Sequence, residues 1–395
     1  MEETICPILV EDIGCWTLCK RKNIEFYSIG SRELDLYMQV SGEILPVIME
    51  TIDFFDGKHS IEWIQDYFLK EKQLEIDVQK VYERFANAGL ICGVDPKHKK
   101  SELDIMGVDI FNVRFRKLSE RGKKRIGNVW NICVFISFLL FITAGIEIIR
   151  KLKFFRYVLS QSFVYDESYI LGGILVMVAA TFGLITHELG HCFTAVKFGL
   201  QPSEFHLNMY GGMIPKWYVK IREMYTLPVK QRIAVSASGM ISNFIFICVV
   251  IIITLEGNFE LREIQLLSKI IYTFSFNILF SLVPINLSDG YFIFSWIFGM
   301  PNLRIRMFDS LKKIFHGIKC KVSTVMIVYF LLFLCFFVIN VYNGIYWSIN
   351  IVKEIWYRID ITVLKYSFIG IFLLFYILTV YRFVKKFSDF MKSKE

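Results

Sequence analysis

The sequence predicts a multi-span α-helical membrane protein with a soluble α+β domain ahead of the membrane part. Three observations predict it. The chain of 395 residues is 54% hydrophobic and 16% aromatic, with a mean hydropathy of +0.47; runs long enough to cross a bilayer explain that excess better than a soluble core does. The apolar runs all begin after about residue 125, whereas residues 1–125 are rich in charge and hold no run near the ~20 residues needed to span. The net charge of +8 fits positively charged cytosolic loops.

Within residues 1–125, NIEFYSIGSRELDLYMQVSG alternates around a polar turn and predicts two short strands. EILPVIMETIDFFDG has helical spacing and stops at Asp56-Gly57. Ser60 is placed to cap a second helix with Ile61, Ile64, Tyr67 and Phe68 on one face. Asp77 is placed to cap a third, with Val78, Val81, Tyr82, Phe85 and Ala88 on one face. Small helices with strands at the edge describe a winged-helix-like module. Lys and Arg are not concentrated on the third helix, so no nucleic acid is expected as partner. The nine cysteines are odd in number and half lie in apolar runs, which argues against a disulfide framework; Cys6, Cys15 and Cys19 match no common metal spacing. The N-terminus has no basic and apolar signal-peptide pattern.

Six spans are expected, near 127–149, 168–190, 233–254, 266–288, 322–342 and 362–381. The segment VRFRKLSERGKKR before the first, the loops between spans two and three and between four and five, and the tail with Arg382, Lys385 and Lys386 are basic. Both termini are then expected in the cytosol of a bacterial cell. The basic segment 150–156 after span one dissents, since it would lie outside.

His187-Glu188-Leu189-Gly190-His191 falls in the second span. Four residues apart on a helix, His187 and His191 share a face and can reach one zinc ion. Glu188, one step round, is placed to take a proton from the attacking water and pass it to the leaving amine. A charged residue at the centre of a span costs about 2.5–3.5 kcal/mol on insertion scales, a cost that points to use rather than chance. A catalytic zinc takes three protein ligands and one open position. Asp289, in NILFSLVPINLSDGYFIFSW, is the intramembrane carboxylate that stands out for the third place; Pro284 and Gly290 break the helix around it. Alternatively it is a loop acid capping the next helix.

The chain from about 127 to 300 resembles the site-2-protease family of intramembrane zinc metalloproteases. The resemblance rests on His187–His191, on Gly239 and Asn243 in SASGMISNFIF, and on Asn277, Pro284 and the final Asp289-Gly290. It implies one zinc ion held by His187, His191 and Asp289, with Glu188 as general base. The family often has Leu before the Asp and two Gly after it, where this chain has Ser288 before and Gly290-Tyr291 after. Asn243 and Asn277 are candidates to hold a substrate carbonyl or oxyanion; Asn243 is equally a polar residue bonding a neighbouring helix. EFHLNMYGGMIPKWYVKI reads as a hairpin turning at Gly211-Gly212, within a loop of about 200–230, whose edge can hold an extended substrate. His206 in it is expected to take a surface or packing role rather than to ligate.

Residues 26–95 resemble the PqqD-like peptide-recognition domains, on VSGEILPVIMETIDFFDGKHSIEWI and a third helix ending in AGLI. That resemblance implies binding of a leader segment of a ribosomally made precursor peptide. The expected organisation is a cytosolic domain over 1–125, a metalloprotease core over 126–300, and two further spans with a basic tail over 301–395. The expected function is maturation of such a precursor at a site near the cytosolic face. The lipid bilayer, an ABC exporter and a peptide-modifying enzyme are the expected partners. A membrane-bound regulator as substrate, or a non-catalytic peptide-binding adaptor, are the alternatives.

Overall fold

The computed structural model describes residues 5–21, 23–94, 107–210, 214–283, 288–300, 302–320 and 322–358, with isolated positions between 362 and 381. The chain divides into two compact units, residues 1–282 with 287–301, and 283–286 with 302–395.

The first unit opens with an antiparallel sheet in the order β1 (Ile13–Arg21), β2 (Ile24–Ser31), β3 (Leu36–Ser41). Three helices follow: α1 (Leu45–Asp53), α2 (Ile61–Glu71) and α3 (Val78–Asn87). The two strands expected from the alternation are β2 and β3. The two caps also form: Ser60 Oγ accepts from the Trp63 N–H at 3.1 Å, and Asp77 Oδ1 from the Lys80 N–H at 2.9 Å. The apolar faces of α2 and α3 close on the sheet, burying Ile29, Ile64, Phe68, Val78 and Phe85 completely. β1 was not read from the sequence; its alternation is masked by Cys15 and Cys19 and by a bulge between Thr17 and Cys19.

β4 (Gly107–Arg114) does not join that sheet. It pairs with β5 (Pro202–Tyr210), which pairs with β6 (Ile214–Ile221), so the expected hairpin is part of a three-stranded sheet. The turn positions Gly211 and Gly212 lie outside the described residues.

Among the described residues, four helices are long and apolar enough to cross a membrane: α4 (Glu120–Arg150), α6 (Tyr169–Lys197), α7 (Val229–Glu256) and α8 (Leu261–Leu282). They match the first four expected spans, with one shift of consequence. α6 continues past 190 to Lys197, because Cys192 to Val196 extend the apolar run, so His191 sits well inside the helix rather than at its end. Between α4 and α6 lies the short helix α5 (Leu152–Ser160). The dissenting basic segment is partly neutralised there. Arg150 pairs with Glu147 at 2.7 Å and with Glu256, and Lys151 pairs with Glu256 at 2.9 Å. Asp289 opens a helix of its own, α9 (Asp289–Ile297), capped by Ser288. Span four was expected to run to 288, but α8 ends at Leu282; Pro284 and Asn286 lie outside the described residues.

In the second unit, α10 (Leu303–Phe315) precedes α11 (Thr324–Arg358), a 35-residue helix over the fifth expected span. Most of the sixth expected span and the basic tail lie outside the described residues.

The N-terminal sheet is tied to α7. Arg232, fully buried in the first turn of α7, donates from Nη2 to the carbonyls of Thr17 (3.1 Å) and Leu18, and its guanidinium lies 5.5 Å from the ring centre of Trp296 in α9. Asp35 Oδ1 accepts from the Glu223 N–H at 2.8 Å, and Tyr37 packs on Tyr225 with ring centres 5.6 Å apart. Burial holds the Asp35 carboxyl above the usual carboxylate range, against the pull of the Glu223 N–H and of Lys220 and Arg222 nearby.

Phe85→Ala should lower the local unfolding free energy of the N-terminal domain by about 3–5 kcal/mol. Hydrogen exchange on the intact protein checks this: protection should fall in α2, α3 and β2, and stay unchanged in α6.

Candidate metal centre

Three elements bring their polar atoms to one buried point. His187 and His191 project from the same face of α6, as their spacing requires. Their Nε2 atoms are 3.2 Å apart. Asp289, from the first turn of α9, places Oδ2 2.7 Å from His187 Nε2 and Oδ1 3.3 Å from His191 Nε2. Both histidines are buried. The sequence-predicted ligand residues therefore meet, although Asp289 comes 98 positions after His191.

The approach is close because the helices carry glycine where they touch. A Cβ at Gly190 of α6 would run into the Ser238 carbonyl of α7. A Cβ at Gly239 of α7 would lie 2.5 Å from His187 Nε2 and 2.6 Å from His191 Nε2. Gly239 is thus the floor of the site, a role beyond the helix packing that its spacing from Asn243 implied.

These donors fit a tetrahedral divalent cation. A zinc ion with ligands at about 2.0–2.1 Å spaces them about 3.3 Å apart, close to the separations between the two imidazole nitrogens and between His191 and Asp289, while His187 and Asp289, at 2.7 Å, stand at hydrogen-bond distance and would part by about half an ångström around an ion. The tautomer of His191 fits too. Its Nδ1 lies 2.7 Å from the Val235 carbonyl, which can only accept, so Nδ1 carries a proton, and in the neutral ring Nε2 is left as the lone pair a metal takes. That lone pair faces a carboxylate oxygen and a second imidazole nitrogen, an arrangement that a cation resolves. Neither the Val235 carbonyl nor its orienting role is legible in the sequence, because the contact belongs to backbone on another helix.

Glu188 belongs to the same group: one ligand atom each from His187, Glu188 and His191 lies within 4.8 Å of the others. Its Oε2 accepts from the Val219 N–H of β6 at 2.9 Å. Val219 thus turns its backbone away from β5 and toward the site. β6 is the edge strand of its sheet, and that free edge runs past Glu188.

Asn243 and Asn277 both flank the turn of α6 that precedes His187. Thr186 Oγ1 donates to Asn243 Oδ1 at 2.8 Å, and Asn243 is fully buried. A Cβ at Gly183 would lie 2.6 Å from Asn277 Nδ2. The Nδ2 groups of both side chains are buried without a hydrogen-bond partner among the described residues, leaving two amide donors unspent beside the histidines. His206 stays apart, on β5, with Nε2 3.0 Å from Glu204 Oε2 and its ring stacked on Tyr218 at 4.8 Å.

Fold and site together define a class: a chain with, among its described residues, four apolar helices of membrane-crossing length and a His–Glu–His group that could hold a metal ion. No family model matches the chain, and no solved structure matches it. A Bacillus subtilis (strain 168) protein described as "Putative peptide zinc metalloprotease protein YydH" is 30% identical over 120 residues, 30% of this chain and 45% of that protein. The alignment thus spans less than half of that relative's length.

Gly239→Ala should empty the site, since the new methyl group occupies the space between the two imidazoles. Zinc per chain, measured by elemental analysis of the purified protein, should fall well below that of the wild type. Gly145→Ala on α4, where a Cβ meets nothing within 4 Å, should leave it unchanged.

Proposed function

We propose that the chain is a membrane-embedded zinc endopeptidase of the site-2-protease type. The observation that carries this reading is the convergence of His187, His191 and Asp289 on one buried point, with Glu188 beside them on the free edge of β6. The Bacillus subtilis relative's description as a peptide zinc metalloprotease supports the same chemistry.

Zinc, when held by the two imidazoles and the carboxylate, supplies a Lewis acid that makes water nucleophilic near neutral pH. The chain's own groups do the rest. Glu188 accepts the proton of the attacking water and returns it to the leaving amine. Beyond the Val219 N–H, which Glu188 holds, the edge of β6 offers backbone groups to a substrate in extended form, whose peptide bonds are exposed as those of a helix are not. The unspent amide groups of Asn243 and Asn277 are available to a substrate carbonyl or to the charge that develops on its oxygen.

The substrate in this reading is a ribosomally synthesised, post-translationally modified precursor peptide. Its leader is captured by the N-terminal sheet domain, in which β3 is likewise an edge strand. The docking of that domain on α7 and on the residues after β6 supports delivery of a captured peptide to the same side as Glu188. With both termini in the cytosol, as the basic loops suggest, delivery and cleavage occur at the cytosolic face.

Glu188→Gln should slow cleavage of a co-expressed precursor peptide by about 10²–10⁴-fold, read by mass spectrometry of the peptide, while zinc per chain stays at the wild-type level. Unimpaired cleavage by the variant would overturn the assignment of the base.

A further inference from the structure

Away from the metal centre, a cavity of about 490 Å³ opens where β4 ends, β5 begins and β6 is left behind. Three cations line it: Arg114, Lys117 and Arg222. Two acids also line it, Glu204 and Glu223. Glu204 is already committed, to Arg114 at 3.2 Å and to His206 at 3.0 Å. Lys117 and Arg222 make no ion pair within 4 Å among the described residues. Gln201 ties the rim together, accepting from the Leu118 N–H at 3.1 Å and donating to the Arg116 carbonyl at 3.4 Å.

Chain connectivity fixes the height of this cavity. Its lining residues fall within a few positions of the start of α4, the end of α6 and the start of α7, three of the four helices of membrane-crossing length. Where three spans begin or end together, the cavity lies on one side of the bilayer, outside its hydrocarbon.

The adjoining sheet has the character of an interfacial element. Residues opposite one another across its ladders share a face. Phe111 and Val113 of β4, Phe205 and Leu207 of β5, and Trp217 and Val219 of β6 form one face, wholly apolar. Arg114, Glu204, His206, Tyr218 and Lys220 lie on the other. On the apolar face Phe111 is 50% and Val113 41% exposed, and Phe115, just past β4 and lining the cavity, is 37% exposed. A ligand that suits the place is itself amphiphilic and anionic.

We propose that this cavity binds the headgroup of an anionic phospholipid. Arg114, Lys117 and Arg222 hold its phosphate, and Phe115 and Pro202, which line the same cavity, receive the start of its acyl chains. The cations satisfy the headgroup charge, and the exposed rings gain a cover that water does not give them.

The test is lipid retention by the intact protein. Purified protein is exposed to phosphatidylglycerol or to phosphatidylcholine in mixed micelles, and the lipids it keeps are counted by native mass spectrometry. Wild-type protein should keep one phosphatidylglycerol that the Arg114→Gln/Lys117→Gln/Arg222→Gln variant holds about a hundredfold more weakly. The charge-conserving Arg114→Lys/Lys117→Arg/Arg222→Lys variant should recover it. Lys117→Gln alone should weaken it by a smaller factor, which guards against a triple variant that fails to fold. Equal retention by wild type and the Gln variants, or equal retention of phosphatidylcholine, overturns the proposal. Displacement of the lipid by excess inorganic phosphate would reassign the cavity to a soluble anion, and displacement by a poly-glutamate peptide would reassign it to an acidic protein segment; either result also overturns it.

Discussion

Two imidazole nitrogens and a carboxylate oxygen crowd one buried point, and the surrounding structure is arranged to keep them there. The 2.7 Å contact of His187 with Asp289 is that of a hydrogen bond, but with His191 Nδ1 bound to the Val235 carbonyl, a neutral His191 turns its Nε2 lone pair toward the carboxylate of Asp289. A divalent cation turns that repulsion into coordination. The glycines at 190 and 239 follow from the same need, since any side chain there would force α6 from α7 or fill the place between the imidazoles. The start of α9 at Asp289 serves the same need, because it sets the carboxylate in a first helical turn beside the imidazoles.

The same centre organises what lies around it. Glu188 is held by the backbone of β6, so the position of the base depends on the sheet as well as on its own helix. The N-terminal domain reaches this neighbourhood by two routes, through Asp35 at the exit of β6 and through Arg232, whose guanidinium also covers Trp296 on the helix that Asp289 opens. Among the described residues Arg232 has no carboxylate partner, a costly state for a buried cation; the strand carbonyls on its Nη2 and the aromatic face beneath it offset part of that cost, while Nε and Nη1 stay without a partner.

Much of this was legible in the sequence because its signals are local. The His187–His191 spacing, the Ser60 and Asp77 caps and the alternation of β2 and β3 each act within a few residues. The first four spans were equally visible as apolar runs, though the end of α6 was set short by stopping at the motif rather than following Cys192 to Val196. What stayed hidden depends on distant partners. β4 lies in a charged stretch and becomes a strand by pairing with β5, some 90 residues on. β1 looked like a cysteine cluster because its alternating positions include Cys15 and Cys19. The burial of Arg232, the carbonyl that orients His191 and the N–H that holds Glu188 are contacts between elements, and no window along the chain contains them.

Zinc K-edge absorption on the purified, zinc-loaded protein tests the central assignment most directly. Two imidazoles with oxygen completing the shell, all at about 2.0–2.2 Å, are the predicted result, with the Asp289→Ala variant losing the ordered shell. Sulfur at about 2.3 Å, or a shell that Asp289→Ala leaves untouched, would contradict it.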